Sequence, residues 1–236
     1  METLLNGVTQ ARDALPISSS TSKRPKLVLK IAPDLEERQL IEIAEVIRNS
    51  GVDGVIVSNT TTQRPKHLIS REPLEFLIHY LGFSSIPSAN KVETGGLSGK
   101  PVKEFSLKAL RTLRSQLPPS IPTIGCGGIF TGADALEFAR AGASLVQVYT
   151  GFGYDGAGFC RRIKDELAEQ LTKEGTTWGQ VVKEAVDQLS FKPGSDTPKI
   201  EVENDIGQLV SQALEIQGYL DKLEEKIEAP ADDVKA

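Results

Sequence analysis

Short hydrophobic runs alternate along this chain with segments in which apolar residues recur at helical spacing. Four runs are typical of strands buried on both faces of a parallel sheet, at residues 27–32, 55–57, 122–124 and 144–148. Each is followed by a predicted helix, at residues 40–51, 101–117, 133–141 and 159–172, and one further helix is predicted at residues 2–15. This strict alternation predicts parallel strands joined by right-handed crossovers.

Two α/β architectures fit the alternation, an open doubly wound sheet and a (β/α)8 barrel. Polar or glycine residues follow every predicted strand, at the edge where both architectures bind their ligands. Glycine clusters after the last two strands are typical of the phosphate site of a barrel, although four strand–helix units make only half of one. For the helix after the first strand, we expect Asp34 to cap the N-terminus and Gly51 to end the C-terminus.

The composition is that of a folded globular protein. The 236 residues are 39% hydrophobic and 25% charged, which excludes a wholly disordered or collagen-like chain. A net charge of −5 argues against a nucleic-acid binder that works by neutralising phosphates. The two cysteines are too few for a disulfide framework or a zinc site, so a reducing compartment is expected.

The sequence shows no pattern of a membrane span or a targeting signal. Its longest apolar runs have five to seven residues, against the ~20 that a membrane-spanning helix needs. The residues after Met1 show neither the basic-then-apolar order of a secretory signal nor an arginine-rich, acid-poor transit segment. We therefore expect neither kind of segment in this chain.

A glycine-rich turn, Gly125-Cys126-Gly127-Gly128, follows the third predicted strand. Glycines let backbone N–H groups approach a phosphate, and the following helix would add its positive N-terminal end. The alternative is a tight strand-to-helix turn without a ligand, because glycine turns are common. The motif alone leaves both interpretations open.

Polar side chains also follow the first two predicted strands. Lys30 lies at the end of an apolar strand, where a lysine is paired, extends its ammonium group to water, or has a function. A site for an anionic ligand is the interpretation we favour for Lys30. Ser58, Asn59 and Thr60 supply several hydrogen-bond donors and acceptors, although these residue types also suit ordinary turns.

Other candidate residues are less informative. The glycine-rich segment 93–101 predicts a loop that approaches a ligand and enters a helix at Pro101, or else a hinge. Cys126 is interpreted as a small buried residue rather than a nucleophile, since no histidine is near it in sequence. His67 and His79 lie away from the strand ends and are interpreted as incidental. The sequence contains no evident catalytic triad, carboxylate pair or metal-ligand spacing.

Five strings of this sequence resemble, in their order and spacing, the class 2 dihydroorotate dehydrogenases, quinone-linked flavoenzymes of pyrimidine (UMP) synthesis. The strings are residues 29–35, 58–61, 93–101, 124–128 and 148–150. The string Glu-Thr-Gly-Gly-Leu-Ser-Gly-Lys-Pro at 93–101 fits class 2 better than the soluble class 1 enzymes. The resemblance covers about residues 1–175 and implies an FMN-containing (β/α)8 TIM barrel, of which this chain matches the C-terminal half.

The resemblance also implies a reaction and site residues. Dihydroorotate is oxidised to orotate by hydride transfer to FMN while a serine base removes a proton, and a membrane quinone (ubiquinone) reoxidises the flavin. Lys30 resembles the lysine beside the flavin ring, and Ser58 resembles a flavin contact that is usually threonine. Asn59 and Thr60 resemble the pair that binds orotate. The remaining implied flavin contacts are Gly99, Gly127, Gly128, Tyr149 and Thr150.

The sequence also departs from the family pattern. No part of it matches the family's first four strands, its N-terminal membrane and quinone-tunnel helices, or the loop with its serine base, and no serine here matches that base. Residues 66–91 form a longer connection than is usual in the family. We therefore expect this chain alone to be inactive as a dehydrogenase. The family implies a location at the mitochondrial inner membrane.

The C-terminal segment differs in charge from the rest of the chain. Residues 201–236 carry ten acidic and three basic residues, whereas the first 200 residues have a net charge of +2. Apolar residues within 206–227 alternate at spacings of three and four, which predicts an amphipathic helix that self-associates, pairs with a partner helix, or has no fixed partner. Gly207 and Gly218 weaken this helix by ~1 kcal/mol each.

The predicted organisation therefore has three parts and leaves two functions open. A helix and linker occupy residues 1–25, a partial FMN-binding barrel 26–194, and an acidic helical tail 195–236. The first function is dihydroorotate dehydrogenase (quinone), in a chain without the half that carries the serine base. The alternative is a non-catalytic half-barrel remnant that acts through its tail. A different phosphate-binding barrel would have to match all five strings by chance.

Overall fold

The computed structural model describes residues 1–16, 24–64 and 94–192. Its strands are β1 (Val28–Ile31), β2 (Gly54–Val57), β3 (Thr123–Cys126) and β4 (Leu145–Gln147). Its α-helices are α1 (Glu2–Ala14), α2 (Glu37–Ser50), α3 (Lys103–Gln116), α4 (Gly132–Arg140), α5 (Thr150–Asp155), α6 (Phe159–Lys173) and α7 (Trp178–Leu189). The predicted long connection at 66–91 and the predicted helical tail lie outside the described residues.

The four strands form one parallel sheet in the order β1-β2-β3-β4. Lys30 pairs with Ile56, and Ile56 pairs with Ile124, so the strand ends lie at one level. A doubly wound sheet reverses its strand order at a switch point, whereas here every crossover moves in the same direction. The sheet is therefore of the singly wound, barrel type, and the four predicted strand–helix units are confirmed.

Helices cover one face of the sheet. Val55 and Val57 are completely buried against this layer, as are Leu110 and Leu113 of α3. Residues on the opposite face are open: 40% of the surface of Val28 and 60% of that of Leu145 are exposed. The prediction that the strands are buried on both faces is therefore wrong for the edge strands β1 and β4, because nothing among the described residues covers the second face there. None of the helices in the described ranges is long and apolar enough to cross a membrane.

The caps of α2 confirm one sequence prediction and contradict another. Gly51 ends the helix in the left-handed conformation, at φ 71°, as predicted. Asp34 is not the N-cap. That position belongs to Glu36, whose backbone N–H donates to the side chain of Gln39 at 2.9 Å. The carboxylate of Asp34 is instead bound by a segment that follows β2.

The first helix is attached to the start of the sheet by Asp53. Arg12 donates to one carboxylate oxygen of Asp53 at 2.6 Å, and the backbone N–H of Leu27 donates to the same oxygen at 2.9 Å. Lys26 donates to the other oxygen at 2.7 Å. The side chain of Asp53 is 19% exposed, so these contacts fix α1, the start of β1 and the start of β2 to one partly buried carboxylate.

Two helices, α5 and α7, were not predicted. The segment of α5 contains two glycines in six residues, a composition that is unfavourable for a helix. The start of α7 has a readable signal, since the hydroxyl of Thr177 caps it by accepting from the N–H of Gln180. Trp178 then donates to the carbonyl oxygen of Ser144 at 3.1 Å. A second hydrophobic cluster packs α7 against α4 and α6, formed by Leu136, Ala139, Leu171 and Val181.

A buried arginine binds the backbone of the loop that connects α3 with β3. The side chain of Arg114 is completely buried, and its guanidinium donates to the carbonyl oxygens of Leu117 at 2.6 Å, Ile121 at 2.8 Å and Pro118. Burial lowers the pKa of Arg114 to about 10. Its Nε has no hydrogen-bond partner within the described ranges. The charge is therefore kept in the interior by the carbonyl oxygens of the loop that it holds.

Candidate functional site

A cavity of about 230 Å³ opens at the carboxyl ends of the four strands. The strand-end positions and two glycine segments form its wall, which is where barrel-type folds bind ligands. All nine residues to which the sequence assigned a binding role line this cavity: Lys30, Ser58, Asn59, Thr60, Gly99, Gly127, Gly128, Tyr149 and Thr150. The structure therefore brings together residues from across the described sequence, while their binding roles remain predictions.

The end of β2 is fixed between its two neighbouring strands. The backbone N–H of Ser58 donates to the carbonyl oxygen of Cys126 at 2.7 Å, and the N–H of Asn59 donates to that of Ile31 at 2.7 Å. These bonds continue the parallel ladder beyond the last strand residues. Asn59 and Thr60 therefore project from a backbone held on both sides.

The carboxylate of Asp34 supports the chain just after these residues. It accepts hydrogen bonds from the Thr61 hydroxyl, from the Thr62 backbone N–H at 2.7 Å and from the Thr62 hydroxyl at 3.0 Å. Both oxygens are used, so the carboxylate that was expected to cap α2 instead orders the turn at the cavity rim. Its actual partners are far away in sequence, which is why local pattern could not find them.

The segment 94–99, named the glycine loop here, is attached to two strand ends. Leu97 forms an antiparallel bridge with Thr61, with hydrogen bonds of 2.7 and 3.0 Å in the two directions. The hydroxyl of Thr150 donates to Ser98 at 3.0 Å. Gly99 ends the loop at φ 84° and is followed by a short 3-10 helix, Lys100–Val102. The loop thus connects the end of β2 with the start of α5 across the cavity.

The turn after β3 lies directly on α3. Gly127 and Gly128 have φ values of 122° and 71°, which L-residues with side chains rarely adopt. A Cβ on Gly128 would lie 2.5 Å from the Cβ of Lys103 and 2.8 Å from its backbone nitrogen. The chain therefore passes α3 at a distance that only glycine allows.

Two carboxylates bind backbone N–H groups at the N-terminus of α4, the helix that follows the glycine turn. The carboxylate of Asp134 accepts from the backbone N–H groups of Phe130 at 2.8 Å and Thr131 at 2.9 Å. The N–H of Gly132 donates to Glu166 at 2.7 Å. Three backbone N–H groups just before and at the start of α4 therefore donate to carboxylates of the protein itself, and a contribution of this helix end to ligand binding stays a prediction. The first turn of α5, at Thr150, lies in the cavity wall.

An ion cluster joins α3 to α4. The ammonium of Lys103 contacts Asp134 at 2.5 Å and Glu137 at 2.9 Å. Burial would raise the pKa of Asp134, but its hydrogen bonds and the charge of Lys103 hold the pKa below its ordinary 3.8. Burial likewise opposes the charge of Lys103, yet the two carboxylates raise its pKa above 10.5. Lys103 and Asp134 are therefore both charged at neutral pH.

We predict that K103M shifts the acid limb of the stability curve to higher pH. In the unmodified chain, the stabilisation by Asp134 is complete above pH 3.8 and is lost as the pH falls through its lowered folded-state value. Without the cation, burial is opposed only by the hydrogen bonds from Phe130 and Thr131, so the pKa of Asp134 rises and the loss begins at higher pH. Urea unfolding between pH 2 and 7 measures this, with K108M, an exposed lysine on α3, as the control. Parallel pH curves for K103M and the unmodified chain would contradict the prediction.

Lys30 is the cation of the cavity wall itself. Its side chain is exposed, and it forms no ion pair or hydrogen bond with any residue that the structure describes. Burial raises the pKa of Cys126, and the positive charge of Lys30 opposes that rise. Cys126 is buried, as the sequence analysis expected. The cavity therefore offers an anionic ligand one uncompensated positive charge.

Several cavity residues were given no individual role in the sequence analysis, although Ser98 and Val148 lie in two of its five strings. They are Ser98, Val102, Ile129, Phe130, Gln147, Val148 and Gly151. Gln147 had a signal, since it is a polar residue at the end of β4. Val102, Ile129, Phe130 and Gly151 are apolar or small, and only the tertiary arrangement places them at the cavity.

A singly wound parallel sheet with a glycine-lined cavity at its carboxyl edge defines an α/β protein of the (β/α)8-barrel class, with a site suited to a phosphate-bearing ligand. The family profile described as dihydroorotate dehydrogenase matches residues 2–171. The chain belongs to the dihydroorotate dehydrogenase family.

Curated relatives and solved structures agree with this assignment. The chain is 45% identical over 186 residues to the dihydroorotate dehydrogenase (quinone), mitochondrial, of Lachancea kluyveri, covering 77% of this chain and 38% of that protein. Identity to the mouse protein of the same name is 40% over 172 residues, which are 73% of this chain and 38% of the mouse protein. A ligand-free crystal structure of DHODH from Eimeria tenella superposes with a TM-score of 0.65 at 36% identity. The superposition covers 79% of this chain and 49% of the Eimeria chain. The chain therefore spans about two fifths of the length of these curated relatives.

Proposed function

We propose that this chain is the flavin-binding part of a dihydroorotate dehydrogenase (quinone), which oxidises dihydroorotate to orotate through FMN in pyrimidine synthesis. One observation carries the proposal: nine residues assigned from the sequence to flavin or orotate line a single cavity. The names of the relatives, dihydroorotate dehydrogenase (quinone), support the reaction and a quinone as electron acceptor. The mitochondrial names support a location in that organelle.

The residues of the cavity fit FMN by their chemistry. A phosphate requires backbone that can approach closely and hydroxyl or N–H donors, which the glycine turn, Gly99 and Thr150 provide. The exposed cation of Lys30 suits the negative charge that a flavin ring acquires on reduction. When bound, FMN supplies the acceptor for the hydride of the substrate.

The substrate end of the site is proposed at the end of β2. The amide of Asn59 and the hydroxyl of Thr60 both donate and accept hydrogen bonds, which matches the carboxylate, carbonyl and N–H groups of orotate. Because hydrogen bonds on both sides fix the backbone at Asn59, these groups would orient the ring rather than adapt to it. Their role is binding, and no described residue is proposed as the base.

The proposal includes inactivity of the 236-residue chain by itself. No serine in it matches the base of the family, and the open face of the sheet leaves residues such as Leu145 in contact with water. Water in the site would compete for every hydrogen bond that positions the substrate. We expect no dihydroorotate-dependent reduction of a quinone by the purified chain, and measurable turnover would overturn this part of the proposal.

Titration of FMN onto the purified chain, followed by flavin fluorescence, tests the proposal. Riboflavin has the same ring system but no phosphate, so it serves as the matched ligand. We expect FMN to bind at least about tenfold more tightly than riboflavin, because charge-assisted hydrogen bonds to phosphate contribute about 1.5–3 kcal/mol each. Absence of FMN binding, or equal affinity for the two flavins, would contradict the proposed phosphate site.

K30M is expected to weaken FMN binding by about 10- to 100-fold, the equivalent of one charge-assisted interaction. The same fluorescence titration measures it. K164M removes an exposed lysine of α6 that does not line the cavity and is the matched control. Unchanged affinity in K30M would show that the lysine does not act on the cofactor.

A further inference from the structure

Two buried hydroxyls meet behind the cavity wall. Ser58 follows β2 and is 1% exposed, whereas Ser106 lies in the first turn of α3 and is completely buried. Their Oγ atoms are 2.6 Å apart. Ser58 lines the cavity and Ser106 does not, so the pair connects the wall to the helix behind it.

The directions of the two hydroxyl protons follow from the acceptors within reach. Ser58 Oγ lies 3.0 Å from the carbonyl oxygen of Asn59, whereas Ser106 has only Ser58 as a partner within the described ranges. A buried hydroxyl proton without an acceptor is strongly unfavourable. Both protons are satisfied only if Ser106 donates to Ser58 and Ser58 donates to the carbonyl oxygen of Asn59.

A hydroxyl has one proton and two lone pairs. In Ser58, the proton goes to Asn59 and one lone pair accepts from Ser106. The remaining lone pair is the polar feature that Ser58 can present to the cavity. A ligand atom that meets Ser58 must therefore be a hydrogen-bond donor.

The surroundings of Ser106 keep this arrangement in place. A Cβ on Gly127 would overlap Ser106 Oγ and lie 3.1 Å from Val102 Cγ1, so the glycine turn closes over the hydroxyl. The absence of a side chain on Gly127 is thus what leaves space for the Ser106 hydroxyl beside the turn. Ser106 therefore lies between the end of β2 and the glycine turn, two parts of the proposed flavin site.

We propose that Ser106 is a positioning residue that fixes Ser58 as a hydrogen-bond acceptor, so that Ser58 recognises a donor group of the cofactor. This inference rests on the proposed function, because the ligand is FMN. The donor is either the imide N–H of the flavin ring or a hydroxyl of the ribityl chain. Ser106 itself does not touch the ligand.

A mutant cycle on FMN affinity tests this role. We expect S58A and S106A each to weaken FMN binding by about tenfold, and the double variant to bind no more weakly than S58A, since Ser106 acts only through Ser58. S115A is the matched control, because the Ser115 hydroxyl, also on α3, donates to the Thr112 carbonyl oxygen away from the cavity. Unchanged binding by S106A, or additive losses in the double variant, would overturn the proposal.

Thermal unfolding distinguishes a failure of the proposed role of Ser106 from a failure of the proposed function. If the unmodified chain binds no FMN, that result contradicts both the proposed function and the role of Ser106 in cofactor binding. Thermal unfolding of the ligand-free variants then still decides whether the hydroxyl pair exists. We expect the double variant to melt no lower than S58A, because S58A leaves the Ser106 proton without an acceptor, and additive losses would exclude the pair.

Titration with 3-methyl-FMN identifies the donor, because methylation removes the ring N–H. If the ring N–H is the partner, S58A will have no effect on binding of the methylated flavin. If a ribityl hydroxyl is the partner, S58A will weaken both flavins equally. An S58A variant that binds FMN and 3-methyl-FMN like the unmodified chain would overturn the proposal.

Discussion

G128A is expected to abolish detectable FMN binding and to lower the free energy of unfolding by about 3–4 kcal/mol. The glycine has φ 71°, and an added Cβ would lie 2.8 Å from the backbone nitrogen of Lys103. Backbone atoms of a packed helix cannot move aside as a flexible side chain would, so either the turn or α3 must shift. A displaced turn would change the cavity wall that Gly127 and Gly128 line. Urea unfolding and FMN titration measure the two effects.

G51A is the matched control for that experiment. Gly51 has the same φ of 71°, but no atom lies within 4 Å of the position that its Cβ would take. G51A therefore isolates the left-handed strain, which is about 1–2 kcal/mol, and should leave FMN binding unchanged. Equal stability losses in the two variants would show that close packing on α3 contributes nothing.

R114M is expected to destabilise the protein by about 2–4 kcal/mol. Methionine restores apolar volume and removes the unfavourable burial of a charge, the same effect that lowers the pKa of Arg114 to about 10. It also removes the guanidinium hydrogen bonds to the carbonyl oxygens of Leu117, Pro118 and Ile121. Leu117 and Pro118 still accept from the backbone N–H groups of Phe191 and Ile121. The loss outweighs the gain, because the carbonyl oxygen of Ile121 keeps no donor among the described residues, which is unfavourable by about 1–3 kcal/mol, and the other two carbonyls each lose a charge-assisted hydrogen bond.

R111M is the control for this substitution. Arg111 is an exposed residue of the same helix, so its replacement should change the free energy of unfolding by less than about 0.5 kcal/mol. Urea unfolding at pH 7 compares the two. An R114M variant as stable as the unmodified chain would mean that water reaches the loop carbonyls and replaces the guanidinium.

The sequence predicted the elements of the sheet well because their signals are local. The central strand β2 is a continuous apolar run, and the structure leaves none of its residues exposed, as such a run predicts. The C-terminal glycine of α2 was predicted correctly for the same reason. By contrast, Asp34 sits where an N-cap is expected, but Thr61 and Thr62 bind its carboxylate, and these partners are visible only in the folded chain.

The location of the site was also predictable, because parallel strands end at one edge and bring their following residues together. Lys30 and Asn59 could be grouped on that basis without any coordinates. Ser106 and Lys103 could not, since both lie in an amphipathic helix whose pattern indicates only which face is buried. Their contacts with Ser58 and Asp134 depend on the crossover geometry.

The attachment of the glycine loop has a kinetic consequence. With Leu97 bridged to Thr61 and Ser98 bonded to Thr150, this wall of the cavity is assembled before a ligand arrives. A ligand then binds without the entropic penalty of ordering the loop. Association should follow the rate of diffusional encounter rather than the rate of loop closure, so differences in affinity among ligands will be found in their residence times.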